Sequence, residues 1–136
     1  MNTTLLVEDN ALFRKSLKDM LIAWFPSMVI EEAENCQLAL TLVAAITPQI
    51  IFMDIQLPDG NGLELTKKIK SGHPQIIILI LTNHDLPEYR EVAFQNGADF
   101  FLDKGSVTQF ELLGLVQTIS GNLSPCLGSP NNGILN

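Results

Sequence analysis

Short, nearly unbroken apolar runs alternate along the chain with longer stretches whose apolar residues recur every three or four positions. The runs are Thr4-Leu5-Leu6-Val7, Met28-Val29-Ile30-Glu31, Ile50-Ile51-Phe52-Met53, Ile76-Ile77-Ile78-Leu79-Ile80-Leu81 and Asp99-Phe100-Phe101-Leu102. Runs of this length predict five strands, and their alternation with amphipathic segments is the pattern of a parallel sheet with helices on both faces. Phe13, Leu17, Leu21 and Trp24 form the apolar stripe of a first helix, and Leu38, Leu42, Ala45 and Ile46 that of a second. Leu63, Thr66 and Ile69-Lys70 mark a weaker third. All three stripes are expected in the core. Asp85-Leu86-Pro87-Glu88 and Thr108-Gln109-Phe110-Glu111 each place a carboxylate three residues after a capping residue, which predicts the starts of a fourth and a fifth helix. Gly97 after Asn96 fits a helix stop.

Right-handed crossovers wind such a strand-then-helix repeat into a doubly wound α/β sheet, and sheets of this kind bind ligands at the carboxyl ends of their strands. That rule brings Glu8 and Asp9 after the first strand, Asp54 after the third, Thr82 after the fourth and Lys104 just after the fifth to one edge. From Ser120 onward the composition turns to Gly, Asn, Ser and Pro without an apolar period, so residues 1–120 are read as one domain and 121–136 as a linker or tail.

The 136 residues, 46% hydrophobic, suffice for a full core without disulfides or a structural metal. Cys36 and Cys126 form no zinc motif or disulfide framework, which points to a reducing, cytoplasmic setting. Net charge is −7 and the eight Lys and Arg residues are scattered, so no nucleic acid is expected to bind this segment. No leader is visible and the longest apolar run, Ile76 to Leu81, is too short for a bilayer, so no membrane association is expected.

Asp54 is the central candidate because it stands where an apolar strand gives way to the turn Leu57-Pro58-Asp59-Gly60. An ionised carboxylate at the mouth of a buried strand costs free energy unless a cation, a partner or a reaction compensates it. Three carboxylates in one crevice repel one another, and a hard divalent cation such as Mg2+ relieves that repulsion while sharing phosphate oxygens. A lysine and a hydroxyl facing the cation supply what phosphoryl transfer to a carboxylate requires. Taken one at a time, each residue has a plainer reading. Asp54 can be a turn acid, Glu8-Asp9 a helix cap, Thr82 a strand-end hydroxyl, Lys104 a surface lysine, Phe101 a core aromatic, and Gly60 and Gly62 turn glycines.

Glu8-Asp9, Asp54 followed by Leu57-Pro58-Asp59-Gly60-Asn61-Gly62, Thr82, Phe101 and Lys104 fall in an order and spacing that resembles the receiver domains of two-component response regulators. The resemblance runs from about Thr3 to Ser120. It implies a CheY-like, flavodoxin-like fold with strand order 2-1-3-4-5. It also implies that Asp54 takes a phosphoryl group from a sensor histidine kinase or phosphotransfer protein, with Asp9, Glu8, Asp54 and the backbone carbonyl of Gln56 around Mg2+. Lys104 and Thr82 would hold the phosphoryl oxygens, and Thr82 with an inward-turning Phe101 would form the switch. The domain then phosphorylates itself and is not a turnover enzyme, and a homodimer on phosphorylation is compatible with the resemblance.

Gln56, Asn83 and His84 occupy positions that in this family tune the phosphoryl lifetime, and Asn83 is larger than the residue many relatives carry there. Gly105-Ser106 after Lys104 and the segment Gly121-Asn122-Leu123-Ser124-Pro125 look closer to transcriptional regulators with a LuxR-type helix-turn-helix output. A stand-alone receiver acting by protein contact is the alternative. A haloacid dehalogenase-like phosphohydrolase would also use an aspartate nucleophile, but it wants an acid where Gln56 stands.

Overall fold

The computed structural model describes residues 3–123. Cys126 and the remainder of the expected tail from Ser124 lie outside the described residues. The described residues divide into two units, 3–106 and 107–123.

In the first unit the order is β1 (Thr3–Val7), α1 (Ala11–Trp24), β2 (Val29–Ala33), α2 (Cys36–Ile46), β3 (Ile50–Met53), β4 (Gln56–Leu57), β5 (Gly60–Asn61), α3 (Gly62–Gly72), β6 (Ile77–Thr82), α4 (Pro87–Gln95) and β7 (Phe100–Asp103). Five strands form one parallel sheet in the order β2-β1-β3-β6-β7. Among the main-sheet strands this is the expected 2-1-3-4-5. The fivefold repeat omits one element, the small antiparallel pair β4 and β5, which the turn Leu57 to Gly60 closes.

Alternate strand residues point to opposite faces. Leu5, Val7, Ile51, Met53, Ile78 and Ile80 join Ala39 and Val43 of α2, Leu63, Leu65 and Ile69 of α3 and Ala93 of α4 in one buried cluster. Residues of the other parity, Leu6, Phe52 and Leu81, meet Phe13 and Leu17 of α1 across the sheet. Double winding is therefore realised, with α1 on one face and α2 to α4 on the other. Each fully buried Leu or Ile contributes about 1.5–3 kcal/mol, and the sheet centre is built almost wholly of them.

Three expectations shift. Trp24 is 63% exposed, so the first stripe ends at Leu21. In α2 the buried positions are Ala39 and Val43, while Leu38 and Ile46 face outward and Leu42 is only partly covered. The expected capping box at Asp85 does not form. Pro87 takes the first helical position, where its missing N–H costs nothing, which makes Leu86 the N-cap with no side-chain bond and sends Asp85 to Arg90 at 3.1 Å. By contrast, Gly97 stops α4 as expected, with a left-handed φ of 106°.

In the second unit the described element is α5 (Gln109–Leu123), three residues longer than the composition change at Ser120 suggests. Its capping box is reciprocal: the Thr108 N–H donates to Glu111 Oε1 at 2.8 Å, and the Glu111 N–H donates to Thr108 Oγ1 at 3.0 Å. Among the described residues no helix is long and apolar enough to cross a membrane.

Candidate functional site

Register sets the site. Val7 pairs with Met53 and Met53 with Ile80, so Glu8 and Asp54 leave adjacent strands at the same level. The Asp54 N–H donates to Val7 O at 3.0 Å, and the Glu8 N–H to Ala33 O at 3.0 Å. One oxygen each from Glu8, Asp9 and Asp54 lies within 4.8 Å of the others. Glu8 and Asp54 are buried and Asp9 is exposed. The helix-cap reading of Glu8-Asp9 fails, because Asn10 caps α1 by accepting from the Phe13 N–H at 3.0 Å. Arg14 braces the corner from below, donating to the Glu8 carbonyl at 2.6 Å and to Glu32 at 2.8 Å.

Lys104 follows β7, and its backbone N–H donates to the Thr82 carbonyl at 2.8 Å. Its ammonium lies 2.6 Å from Glu8 Oε1 and 3.4 Å from Asp54 Oδ2, with only 8% of the side chain exposed. Asp54 Oδ1 accepts from the Ile55 N–H at 2.8 Å, which leaves Oδ2 as the oxygen turned to the crevice. Burial pushes the Glu8 carboxyl above its usual range, a push that the hydrogen bond from Lys104 partly opposes. One ammonium against three carboxylates leaves a charge deficit that a divalent cation matches. The donors are all hard oxygens, which suits Mg2+ far better than a metal preferring nitrogen or sulfur.

The loop after Asp54 is tied down by two residues that look like ordinary turn formers in the sequence. Asp59 accepts from the Cys36 and Gln37 N–H groups at 2.7 and 3.0 Å, so it caps the first turn of α2 from another loop. Those two bonds hold its carboxyl below the usual range. Gly62 is needed for closeness, not for a left-handed turn: a Cβ there would lie 1.9 Å from the Asp54 carbonyl oxygen. Neither role has a local signature, because both partners come from elsewhere in the chain.

A sequence profile for the response regulator receiver domain matches residues 4–117. This chain belongs to that family. The receiver is 32% identical over 124 residues to the nitrate/nitrite response regulator protein NarL of Escherichia coli, an alignment covering 89% of this chain and 56% of NarL. It resembles the crystal structure of a LuxR-family two-component response regulator from Aurantimonas at TM-score 0.76 and 30% identity, covering 95% of this chain and 89% of the other. A response regulator from Burkholderia pseudomallei, solved with a phosphorylated aspartic acid, calcium ion and citrate, superposes at TM-score 0.77 and 26% identity over 92% of this chain and 72% of the other. The chain spans about half the length of the curated relatives it matches.

Of the residues singled out in the receiver's sequence, Glu8, Asp9, Asp54 and Lys104 are brought together. Thr82 is fully buried at the end of β6, and its Oγ1 accepts from the His84 N–H at 3.1 Å. Phe101 is already inward at 5% exposure, with the Arg90 guanidinium 4.8 Å above its ring. Gln56 and Asn83 are exposed, and the His84 ring meets Tyr89 edge-on. One further residue joins the site: the Phe13 ring lies 4.3 Å below the Lys104 ammonium, although its helical spacing marks it only as core.

Proposed function

We propose that Asp54 is the phosphoacceptor of this receiver and that a histidine kinase or phosphotransfer protein is the donor. The observation that carries the reading is the buried Lys104 ammonium placed between Glu8 and Asp54. Asp54 Oδ2 attacks phosphorus, an O–P bond forms, and the P–N bond of the donor phosphohistidine breaks with its electron pair leaving on imidazole, which takes up a proton. Lys104 faces the charge that gathers on the phosphoryl oxygens. Thr82 Oγ1 accepts one bond at present and keeps its own proton to donate to the product.

Asp9, Glu8, Asp54 and the Gln56 carbonyl would hold Mg2+. When bound, the cation neutralises the crevice and the transferring oxygens. The added charge, close to −2, then draws Thr82 and Lys104 toward Asp54 and biases the packing of α4. Because Phe101 is already buried, the switch in this chain starts at Thr82 and α4, with no ring that must first swing in. The domain is consumed as a phosphoacceptor and turns over no external substrate. Its level of phosphorylation is tuned by Gln56, Asn83 and His84, and it acts in the cytoplasm. Its likeness to regulators named as transcriptional and of the LuxR family supports a transcriptional output as the end of this switch, with a homodimer on phosphorylation as one route to it.

Incubation with Mg2+ and acetyl phosphate or beryllofluoride tests this reading. Wild type gains an adduct by intact mass and shifts its backbone amides, and Asp54→Asn does neither. Wild-type protein that remains unmodified and unshifted refutes the assignment. Sustained release of phosphate from diverse esters would favour the hydrolase reading.

A further inference from the structure

Phe13 sits in the first turn of α1 and is half-buried. With Glu8 and Asp54 it lines a narrow cleft floored by Leu6, Phe52 and Leu81. The Lys104 ammonium lies 4.3 Å from the centre of its ring, and the lysine side chain is 8% exposed. A cation over an aromatic face is attracted by the ring quadrupole, more strongly where water is excluded. Lys104 therefore has three attractive neighbours, two carboxylates and one ring.

The neighbours differ in one respect that matters for the reaction. Glu8 and Asp54 are the groups that a divalent cation and the incoming phosphorus would engage, so their hold on Lys104 weakens when the site is loaded. Phe13 has no ligand atom to give away. Its face remains available to the ammonium throughout.

We propose that Phe13 is a positioning residue for Lys104, keeping the ammonium at the phosphoryl site when metal and phosphorus claim the carboxylates. This inference rests on the phosphoacceptor reading of Asp54. It explains why an aromatic stands here, where any apolar side chain would complete the stripe with Leu17 and Leu21.

The test replaces Phe13 alone, in the 136-residue chain, with 4-fluoro-, 3,5-difluoro- and 3,4,5-trifluorophenylalanine, which weaken the quadrupole stepwise at nearly constant shape. Labelling by acetyl phosphate with saturating Mg2+ is expected to slow at each step, by about three- to ten-fold across the series. Beryllofluoride affinity, followed by amide shifts, should weaken in parallel, while the urea-denaturation midpoint stays constant across the fluorinated series because the ring keeps nearly the same shape. Phe13→Leu should behave like the trifluoro protein. Rates that are flat across the series while wild type labels and Asp54→Asn does not would overturn the role of Phe13 and leave the phosphoacceptor reading standing. A parallel fall in the urea-denaturation midpoint would also overturn it, since that is the mark of a merely loosened α1. Failure of wild type to label removes the phosphoacceptor reading, and this inference with it.

Discussion

Replacing Gly62 by alanine gives a demanding check on how the loop after Asp54 is built. The new Cβ would lie 1.9 Å from the Asp54 carbonyl oxygen, 2.9 Å from its carbonyl carbon and 3.1 Å from Ile55 Cα. Contact between such atoms is comfortable at about 3.5 Å, so the two backbones must part by on the order of 1.5 Å. No flexible side chain can give way, because all three neighbours are main chain. The movement also opposes the bond from the Gly62 N–H to Ile55 O at 2.7 Å. Alanine gains roughly 1 kcal/mol of helix preference over glycine, whereas overpacking typically costs about 1–3 kcal/mol and falls at the upper end where only backbone can yield, so the clash decides the sign.

Gly72, in the same helix, supplies the contrast. A Cβ there meets nothing within 4 Å, and its φ is not in the left-handed region. Gly72→Ala should therefore raise stability by about 0.5–1 kcal/mol. Urea denaturation followed by far-UV circular dichroism reads both variants on one scale, and labelling by acetyl phosphate reads the effect on Asp54. The expected order of midpoints is Gly72→Ala, wild type, then Gly62→Ala far below, with little labelling of the last. A Gly62→Ala protein as stable as wild type would refute the close-approach account.

Two other predictions concern ionisation. The hydrogen bond from Lys18 holds the Glu32 carboxyl below its usual range, opposed by burial and helped by Arg14. A depressed carboxylate contributes stability above its unfolded pKa and loses it as pH falls through the folded one. Wild type should exceed Glu32→Gln by about 0.5–1 kcal/mol at pH 7, after allowing for solvent screening of this partly exposed pair, and the gap should close below about pH 4. Denaturation midpoints at a series of pH values check this, and a gap that widens on acidification would contradict it. Burial and the neighbouring Asp59 carboxylate push the Cys36 thiol up to about 11. At pH 8 its thiolate fraction should be about a hundred-fold below that of an ordinary thiol, so iodoacetamide should modify Cys36 in the folded protein far more slowly than in urea. Peptide mass spectrometry measures the two rates, and equal rates would be fatal to the argument.

Residues whose position follows from strand ends were legible before any coordinates. Glu8, Asp54, Thr82 and Lys104 each stand at or just past the close of an apolar run, and a parallel sheet brings such ends to one edge regardless of how its helices pack. The phase of α2 was not legible, for a reason visible in Cys36-Gln37-Leu38-Ala39-Leu40-Thr41-Leu42-Val43-Ala44-Ala45-Ile46 itself. It has no charged residue, so no polar face fixes which apolar positions turn inward. Gly62 reads locally as a turn glycine and Phe13 as core filler, and Asp59 carries no signal beyond its place in the turn, because the partners of all three lie on other elements. Local pattern gives the residue type that a site tolerates, while a contact across the fold gives the reason it is there.

These contacts also indicate which side of the site would yield under the phosphorylation of Asp54 proposed above. Toward α2 and α3 the loop is fixed by two charge-assisted bonds that Asp59 accepts from the Cys36 and Gln37 N–H groups, by the Asn61 cap on the Leu63 N–H at 2.7 Å and by backbone packed against Gly62. Toward α4 the restraint on the Thr82 hydroxyl is weaker. Thr82 Oγ1 holds the following loop through one neutral bond from the His84 N–H, and α4 begins without a side-chain cap. Charge-assisted bonds are roughly twice as strong as neutral ones, so turning Thr82 toward a phosphoryl group gives up much less than shifting the Asp59 loop would. The same rotation frees the His84 backbone, whose ring leans on Tyr89 of α4. Movement should therefore run from Thr82 through His84 and Tyr89 into α4, with α2 and α3 serving as the fixed frame against which it occurs.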